Sequence, residues 1–500
     1  METELKFALS PDARQALEQG PLHDAAGDAQ VHSNHTTYFD TPDLALHKAG
    51  FSLRVRRRPE SGESVQTVKA AGAGSGLRRQ EWQWPIAGET PELQTLQEVP
   101  GLPTVLNADD AALRPLFRTE VRRHKWILRP QPGSAVEIAL DEGMIIAGSQ
   151  REHISELEME LKEGPEEALF RLGLDFERIA SLPLQLESKG ARGYRLQGGE
   201  RPAAHQAEPI AFSATATVAE VFGSVADALV EELLANHPAT LRGEEDGGVH
   251  QMRVSARRLR SLLVLFSPLL ESRARVRFDK ALQNVARLLG SARDWDVFVT
   301  ETLPQAATEG VDIAWIERLH IAAETRRHAA HQAVKKAVGQ SEFTRFVLAF
   351  RTWSQSGKSA LATDRRDDRM ADSAAFLLDN VERQLRRRLD RRDANDGASL
   401  HAVRKSAKKL RYSVDYFSSL YGSDAHHYSR RCESLQKKLG AVNDLETASA
   451  RAAELTDNGR LDLVPALGLL ACWASRRRPG LAAKAARACA RFADEKPFWS

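Results

Sequence analysis

The sequence predicts a multidomain α+β protein: an N-terminal antiparallel β-barrel joined to a C-terminal all-α helical bundle with an internal two-fold repeat. Three observations carry this expectation. Residues 1–196 alternate polar and apolar with period two, in runs parted by Gly, Ser and Pro. From 213 onward the chain is rich in Ala, Leu and Arg, and its apolar period becomes helical. Within that second half two long motifs recur. Five hundred residues also exceed what one core serves, so the expected parts are 1–196, a linker at 197–212, and 213–500.

The barrel strands follow in order. Met1-Glu-Thr-Glu-Leu-Lys puts Glu2, Glu4 and Lys6 on one strand face. Phe51-Ser-Leu-Arg-Val-Arg, Val65-Gln-Thr-Val-Lys, Glu81-Trp-Gln-Trp, the run 119–128 and the run 135–141 read as further strands. In 154–162, Glu156, Glu158, Glu160 and Lys162 share one face, and Leu157, Met159 and Leu161 the other. Helices are expected near 11–19 and 165–173. Clusters such as Ala71-Gly-Ala-Gly-Ser-Gly separate the strands. Polar residues returning to one face of many strands imply a barrel with a charged lumen. Gln197-Gly-Gly-Glu-Arg-Pro then opens the linker.

In the helical half, Val249-His-Gln-Met-Arg-Val-Ser-Ala-Arg-Arg-Leu-Arg matches Leu400-His-Ala-Val-Arg-Lys-Ser-Ala-Lys-Lys-Leu-Arg, 151 positions on. Leu289-Gly-Ser-Ala-Arg-Asp-Trp-Asp matches Leu439-Gly-Ala-Val-Asn-Asp-Leu-Glu, 150 positions on. The spacing predicts two related helical halves packed as a bundle.

The net charge of +2 hides a split: 24 Lys/Arg against 32 Asp/Glu in 1–212, but 46 against 36 in 213–500. The basic half points to a polyanionic partner. Cys432, Cys472 and Cys489 have no zinc-ligand spacing and imply no disulfide framework, which fits a reducing compartment. No apolar run approaches the length of a bilayer, and acidic strand residues stand where a leader would begin. A soluble, cytoplasmic protein without a membrane partner is expected.

Carboxylates stacked along a strand repel one another, and such a row suggests a hard divalent cation bound through oxygen, commonly in company with phosphates. Cations stand beside them. Arg54 and Arg56 share a face, Lys69 ends a strand, and Arg79 precedes Glu81 by two. Arg123 and Lys125 share a face, and Lys189 and Arg192 follow the last acidic strand. A phosphate chain needs cations along its length and a metal at the bond being broken. Surface ion pairs would explain one such strand; like-charged faces repeated over six or seven strands are costly without a ligand.

Glu2-x-Glu4-x-Lys6, Tyr38-Phe-Asp-Thr, Leu53-Arg-Val-Arg, Thr67-Val-Lys69, Arg79-x-Glu81, Val136-Glu-Ile-Ala-Leu-Asp-x-Gly, Glu156-x-Glu158-x-Glu160 and Ser188-Lys-x-x-Arg-Gly-Tyr occur in this order. The set resembles the CYTH superfamily, or triphosphate tunnel metalloenzymes, over residues 1–195. The resemblance implies an eight-stranded antiparallel tunnel that hydrolyses triphosphate-containing substrates with Mg2+ or Mn2+. Carried over by position, Glu2, Glu4, Glu156, Glu158 and Glu160 would hold the metals. Lys6, Arg54, Arg56, Lys69, Arg79, Arg123, Lys189 and Arg192 would grip the phosphates. Glu2, Glu4, Glu158 and Lys6 would form the catalytic set. One metal would neutralise phosphate oxygens and a second would activate water. Asp141, read at a strand end, stays outside the ligand set. His32, His35 and His47 read as surface or loop residues.

On a helical wheel, His250, Arg253, Arg257 and Arg260 fall in one sector flanked by Arg258, with Met252, Leu259, Leu262, Leu263 and Phe266 opposite. The second copy places His401, Arg404, Lys408 and Arg411, flanked by Lys409, against Val403, Leu410 and Val414. Two such faces turned toward each other would make a basic channel for a linear polyanion, the histidines donating to phosphate oxygens. This half resembles the CHAD domain, the conserved-histidine α-helical domain, over 215–495. That implies a pseudo-symmetric bundle binding inorganic polyphosphate. Arg293-Asp294 and Asn443-Asp444 read as fixing helix ends. The domain order resembles a recurring bacterial architecture.

The leading expectation is a metal-dependent hydrolase of inorganic triphosphate tethered to a polyphosphate-binding module. One alternative is a non-catalytic polyphosphate-binding or targeting protein, against which the intact glutamate set argues. Another is an adenylyl cyclase or thiamine-triphosphatase, which needs a nucleoside or base pocket that the sequence does not display. Nucleic-acid binding is disfavoured by the scarcity of aromatics on the basic faces.

Overall fold

The computed structural model describes residues 2–23, 29–70, 78–102, 106, 113–198, 202–242, 247–356, 360–393, 396–456 and 461–499, with the side chains of Glu2, Arg78, Arg79 and Leu461 outside that description. The strands are β1 (Glu2–Ala8), β2 (Gln30–Asp40), β3 (Phe51–Arg57), β4 (Ser64–Ala70), β5 (Arg78–Arg79), β6 (Glu81–Ile86), β7 (Arg114–Leu128), β8 (Ala135–Ala147) and β9 (Gln150–Glu163). All pair antiparallel in the order β5-β1-β9-β8-β7-β2-β3-β4-β6.

The two ends of that order are one stretch of chain. Arg78 and Arg79 pair with β1, and one residue later Glu81–Ile86 pair with β4. The run 78–86 therefore acts as an eighth strand that brings the ends of the curled sheet together, as the alternation predicts. Beyond β5, the segment 183–185 takes over the free edge of β1: Ala8 N donates to the Pro183 carbonyl and Gln185 N to the Lys6 carbonyl, both at 2.8 Å.

Two strand readings change. β2 was not expected as a full strand, because Asn34, Thr36 and Tyr38 face inward and polar residues also occupy its outer face. With both faces polar, no apolar alternation marks it. β8 runs on to Ala147, so Asp141 is mid-strand and 0% exposed, not at an end. Gly143 permits this: a Cβ there would lie 1.9 Å from the Glu120 carbonyl oxygen on β7.

The barrel's helices are α1 (Pro11–Gln19), α2 (Ala45–Lys48), α3 (Leu93–Leu96), α4 (Glu166–Ile179) and α5 (Lys189–Leu196). The later helices are α6 (Val218–Ala235), α7 (His237–Arg242), α8 (Gly247–Leu265), α9 (Ser272–Val297), α10 (Leu303–Thr308), α11 (Ile313–Val338) and α12 (Ser341–Gln355). They end with α13 (Met370–Asp390), α14 (Gly397–Tyr416), α15 (Ser418–Glu454) and α16 (Val464–Ala493). No described helix is long and apolar enough to cross a membrane.

The chain forms two compact units. The first joins residues 1–205 to 231–248 and 337–352; the second comprises 206–230, 249–336 and 353–500. In the second, Met252, Leu259, Leu262 and Leu263 of α8, Phe266 just after it, and Val403, Leu410 and Val414 of α14 are fully buried, which are the apolar faces the wheel predicts. The Tyr416 hydroxyl of α14 donates to the Arg258 carbonyl of α8 at 2.8 Å.

Candidate functional site: a charged tunnel and a basic cluster

Strand alternation aims one side chain in two at the barrel axis. A cavity of about 330 Å³ results, lined by Glu4, Lys6, Arg54, Arg56, Lys69, Arg123, Glu158, Glu160 and Lys189 among others. These nine were expected from sequence. Glu156 and Arg192 do not line it. They sit at its end, 1% and 3% exposed, paired to each other, with Lys189 2.8 Å from Glu156 and Arg192 2.6 Å from Glu152. The Glu2 and Arg79 side chains lie outside the described residues, though their backbones pair.

One wall is acidic. Glu4 on β1 is directly opposite Glu160 on β9, and Glu160 is opposite Glu137 on β8. Like charges in register are unfavourable by themselves. Lys6 bridges Glu4 at 3.0 Å and Glu158 at 3.5 Å. Burial and the Glu158 charge still leave the Glu4 carboxyl above its usual range, although Lys6 pulls it down. Deeper in, Lys189 lies 2.8 Å from each of Asp141, Glu156 and Glu158, and Arg123 makes a fork on Asp141 at 2.7 and 2.6 Å. Burial opposes ionisation of Glu158, but Lys189, Lys6 and Arg123 outweigh it and hold the group well below the usual carboxylate range.

The facing wall is cationic. Lys69 pairs with Glu81 at 2.6 Å, and Arg54 reaches the same carboxylate at 3.5 Å. Arg56 has no ion-pair partner among the described residues. The charge of Arg54, then burial, then Arg123 push it down to about 10. Arg54 and Arg123 have carboxylates of their own, and Arg56 stands between them without one among the described residues.

Sequence reasoning missed Glu81, Glu137 and Asp141 as site residues, with Lys125 and Lys162 beside Glu137 at 2.6 and 3.6 Å. A signal existed for two of them: Glu137 and Asp141 are four apart, hence on one face of β8. The Tyr38 and Gly-Tyr motifs serve the scaffold. Tyr38 stacks on Phe117 at 4.5 Å, and Phe117 meets Tyr194 edge-on at 5.2 Å. Asp40 is buried and accepts from Leu46 N, His47 N and the Tyr194 hydroxyl. His47 stacks on Tyr194 at 4.1 Å, while His35 is exposed. Ser188 caps α5 and so starts the helix at Lys189.

Whether the acidic wall suits a divalent cation can be judged from its donors. They are hard carboxylate oxygens, and Glu4, Glu160 and Glu137 lie in one ladder row whose charges are incompletely matched. Among the described residues no three acidic, His or Cys side chains already converge at metal distance, because lysines and arginines occupy the carboxylates. The donor set fits the ion; its present pairing is with the protein's own cations.

In the second unit, α8 and α14 bring their basic faces together. Lys408 is pushed down to about 6 by burial, then by Arg257, Arg404 and Arg253. Burial, then Arg293, Arg257, Arg253 and Lys408, lower His250 as well. Burial lowers Arg257, with Arg404 and Arg411 adding to it. Neither Arg257 nor Lys408 has an ion-pair partner among the described residues, and the buried His250 Nδ1 and Arg404 Nε have no hydrogen-bond partner.

Not every expected residue joins this cluster. Arg258 turns inward, 8% exposed, with its guanidinium 5.8 Å from the Tyr416 ring. Arg260 pairs with Asp279 at 2.8 Å, and Lys409 lies beside that pair. Arg411 flanks the cluster, over the Tyr412 ring at 4.9 Å. Arg293-Asp294 and Asn443-Asp444 do not fix helix ends, contrary to expectation: they lie inside α9 and α15. Asp294 takes Arg253 at 3.3 Å, Asp444 takes Arg404 at 3.7 Å, and Asn443 bonds the His401 ring.

A curled eight-stranded antiparallel sheet around a charged cavity, followed by helices with a basic cluster, defines a tunnel-type domain joined to a helical domain. The comparisons agree: residues 1–194 are a CYTH domain and residues 224–453 a CHAD domain. An inorganic triphosphatase of Haemophilus influenzae is 37% identical over 203 residues, 39% of this chain and 54% of that protein, so the chain spans about half of that curated relative. The crystal structure of the CHAD domain from Ricinus communis is similar with 26% identity and a TM-score of 0.51, covering 58% of this chain and 96% of that one. HpAC1 from Hippeastrum, whose structure is described as revealing a dominant triphosphatase activity, is 22% identical over 41% of this chain and 100% of its own, with a TM-score of 0.27.

Proposed function

We propose that the tunnel hydrolyses inorganic triphosphate with Mg2+ or Mn2+, and that the α8–α14 cluster binds inorganic polyphosphate. The observation that carries this is Arg56: a half-buried arginine with no ion-pair partner among the described residues, crowded by Arg54 and Arg123 across a cavity from a row of carboxylates. A polyphosphate chain supplies the missing anion to that wall. The CYTH assignment and the 37% identity to an inorganic triphosphatase support the same chemistry.

Arg54, Arg56, Lys69 and Arg123 would orient the substrate oxygens, and Lys6 and Lys189 would hold the phosphoryl group nearest the acidic wall. Glu4, Glu158 and Glu160, with Glu2, would hold the divalent cation; Glu156, tied to Arg192, would hold Lys189 in place. A bound divalent cation neutralises phosphoryl oxygens and makes water more acidic. Positioning and fixed charge supply the rest of the rate enhancement, since phosphoryl transfer needs little covalent help. The three free cysteines support a cytoplasmic setting.

The test is phosphate release from inorganic triphosphate, ATP, thiamine triphosphate and long polyphosphate, with Mg2+, Mn2+ or a chelator. Metal-dependent release with triphosphate preferred is expected. Preference for ATP or thiamine triphosphate would move the protein to the nucleotide or thiamine reading. No release, with polyphosphate still bound, would make it a binding protein.

A further inference from the structure

Helix α12 lies within the CHAD range 224–453, yet residues 337–352 fold into the same compact unit as the barrel. Its contacts fall behind β1, the strand that carries Glu4 and Lys6. Leu5 and Phe7 alternate with those residues, face outward, and are 1% and 0% exposed. They meet α4 at Gly173, where a Cβ would stand 3.1 Å from Leu5 and 3.2 Å from Leu348 of α12. A side chain there would crowd both leucines, so the glycine lets strand, α4 and α12 close on one point. Arg345 of α12 clamps Glu177 of α4 with bonds of 2.7 and 2.8 Å.

The same helix reaches the seam of the barrel. Segment 183–185 covers the edge of β1 through the Gln185 N to Lys6 carbonyl and Ala8 N to Pro183 carbonyl bonds. Leu184 lies between them and turns its own N–H away from β1. The Thr344 Oγ1 of α12 accepts that N–H at 3.0 Å, with Thr344 0% and Leu184 7% exposed. A buried N–H without an acceptor is costly, so this hydroxyl adds to the two backbone bonds that hold the seam closed.

We propose that Thr344 is a positioning residue of the tunnel: through Leu184 and the 183–185 seam it fixes β1, and with it Glu4 and Lys6. The helical region is then a structural part of the tunnel and not only a tethered module. The catalytic consequence rests on the triphosphatase reading; the structural one does not.

The experiment compares full-length wild type, Thr344→Val and Thr344→Ser. The valine keeps the shape and removes the acceptor; the serine keeps the acceptor. Hydrogen exchange should quicken by about tenfold or more at Leu184, Gln185 and Ala8 in the valine variant and not in the serine variant. Turnover of inorganic triphosphate should fall by about tenfold or more, mostly in kcat, in the valine variant, with the serine variant near wild type. Long-polyphosphate affinity, measured beside it, should be unchanged. Wild-type exchange at the seam in Thr344→Val, or equal damage in both variants, would overturn the proposal. If the wild type released no phosphate, the proposed function would fall while the exchange result still decided the seam.

Discussion

Glu4 on β1 faces Glu160 on β9 directly across the ladder, and the register puts Glu137 next in the same row. Nothing in packing favours three carboxylates in line; Lys6, Lys162 and Lys125 each pair with one of them, and Lys6 is shared with Glu158. Like-charge repulsion along the row remains, felt at Glu4, and a bound cation would relieve it. Glu160→Gln should lower triphosphate turnover at limiting metal by about 100-fold and leave the thermal midpoint unchanged or slightly raised. Turnover against metal concentration, with a melting curve, checks both parts; a sharp loss of stability would mean that the row is structural.

Arg56 makes a second prediction. It has no ion-pair partner among the described residues, and the Arg54 charge disfavours its own. Arg56→Met should raise KM for triphosphate by about 10- to 100-fold, the worth of one charge-assisted contact. The same variant should melt no lower than wild type. Steady-state kinetics beside calorimetry would show whether binding and stability separate in this way.

Gly193 fixes α5 against the sheet. A Cβ there would lie 2.0–2.5 Å from the Phe117 ring. That ring is stacked on Tyr38 and has nowhere to go. Gly193→Ala should destabilise the protein by about 1–3 kcal/mol or more through overpacking, and weaken activity by displacing Lys189. Denaturant unfolding with activity assays on the folded fraction tests it; an unchanged midpoint would contradict the packing account.

Lys408 predicts a pH dependence. Its folded value of about 6 lies below its ordinary value of 10.5, because burial and then Arg257, Arg404 and Arg253 disfavour the charge. The unfolded chain therefore binds more protons between these values, and stability of the free protein rises with pH across that window. A polyanion reverses the local field and draws a proton onto Lys408. Polyphosphate binding should strengthen as pH falls toward about 6, with net proton uptake, and level off below it. Calorimetry in two buffers of different ionisation heat measures the uptake; Lys408→Met should abolish most of it. Binding that is independent of pH over this range would contradict the assignment.

The barrel and its charged lumen were legible because alternation records which residues face inward, and so was the burial of the α8 and α14 apolar faces. Polar strands and cross-chain partners were not. β2 is polar on both faces and gives no apolar period. Arg192 shares a motif with Lys189, but one helical turn further on it reaches past the shared partner Glu156 to Glu152 and does not line the cavity. Asp294 and Asp444 looked like helix-end residues; only the packing of α9 and α15 against the arginines of α8 and α14 reveals them as partners of Arg253 and Arg404. The place of α12 behind β1 could not be read from any local pattern, since it depends on Gly173, Leu184 and Thr344 meeting from distant parts of the chain.

The central claim is that the acidic wall and its facing cations form one hydrolytic site. Its most direct test is metal-dependent phosphate release from inorganic triphosphate by wild type and by Glu4→Gln, Glu158→Gln, with long-polyphosphate binding measured on both. The account predicts release by wild type, its loss in the double variant, and polyphosphate binding retained in each. Release that survives the double substitution would place the chemistry elsewhere and contradict it.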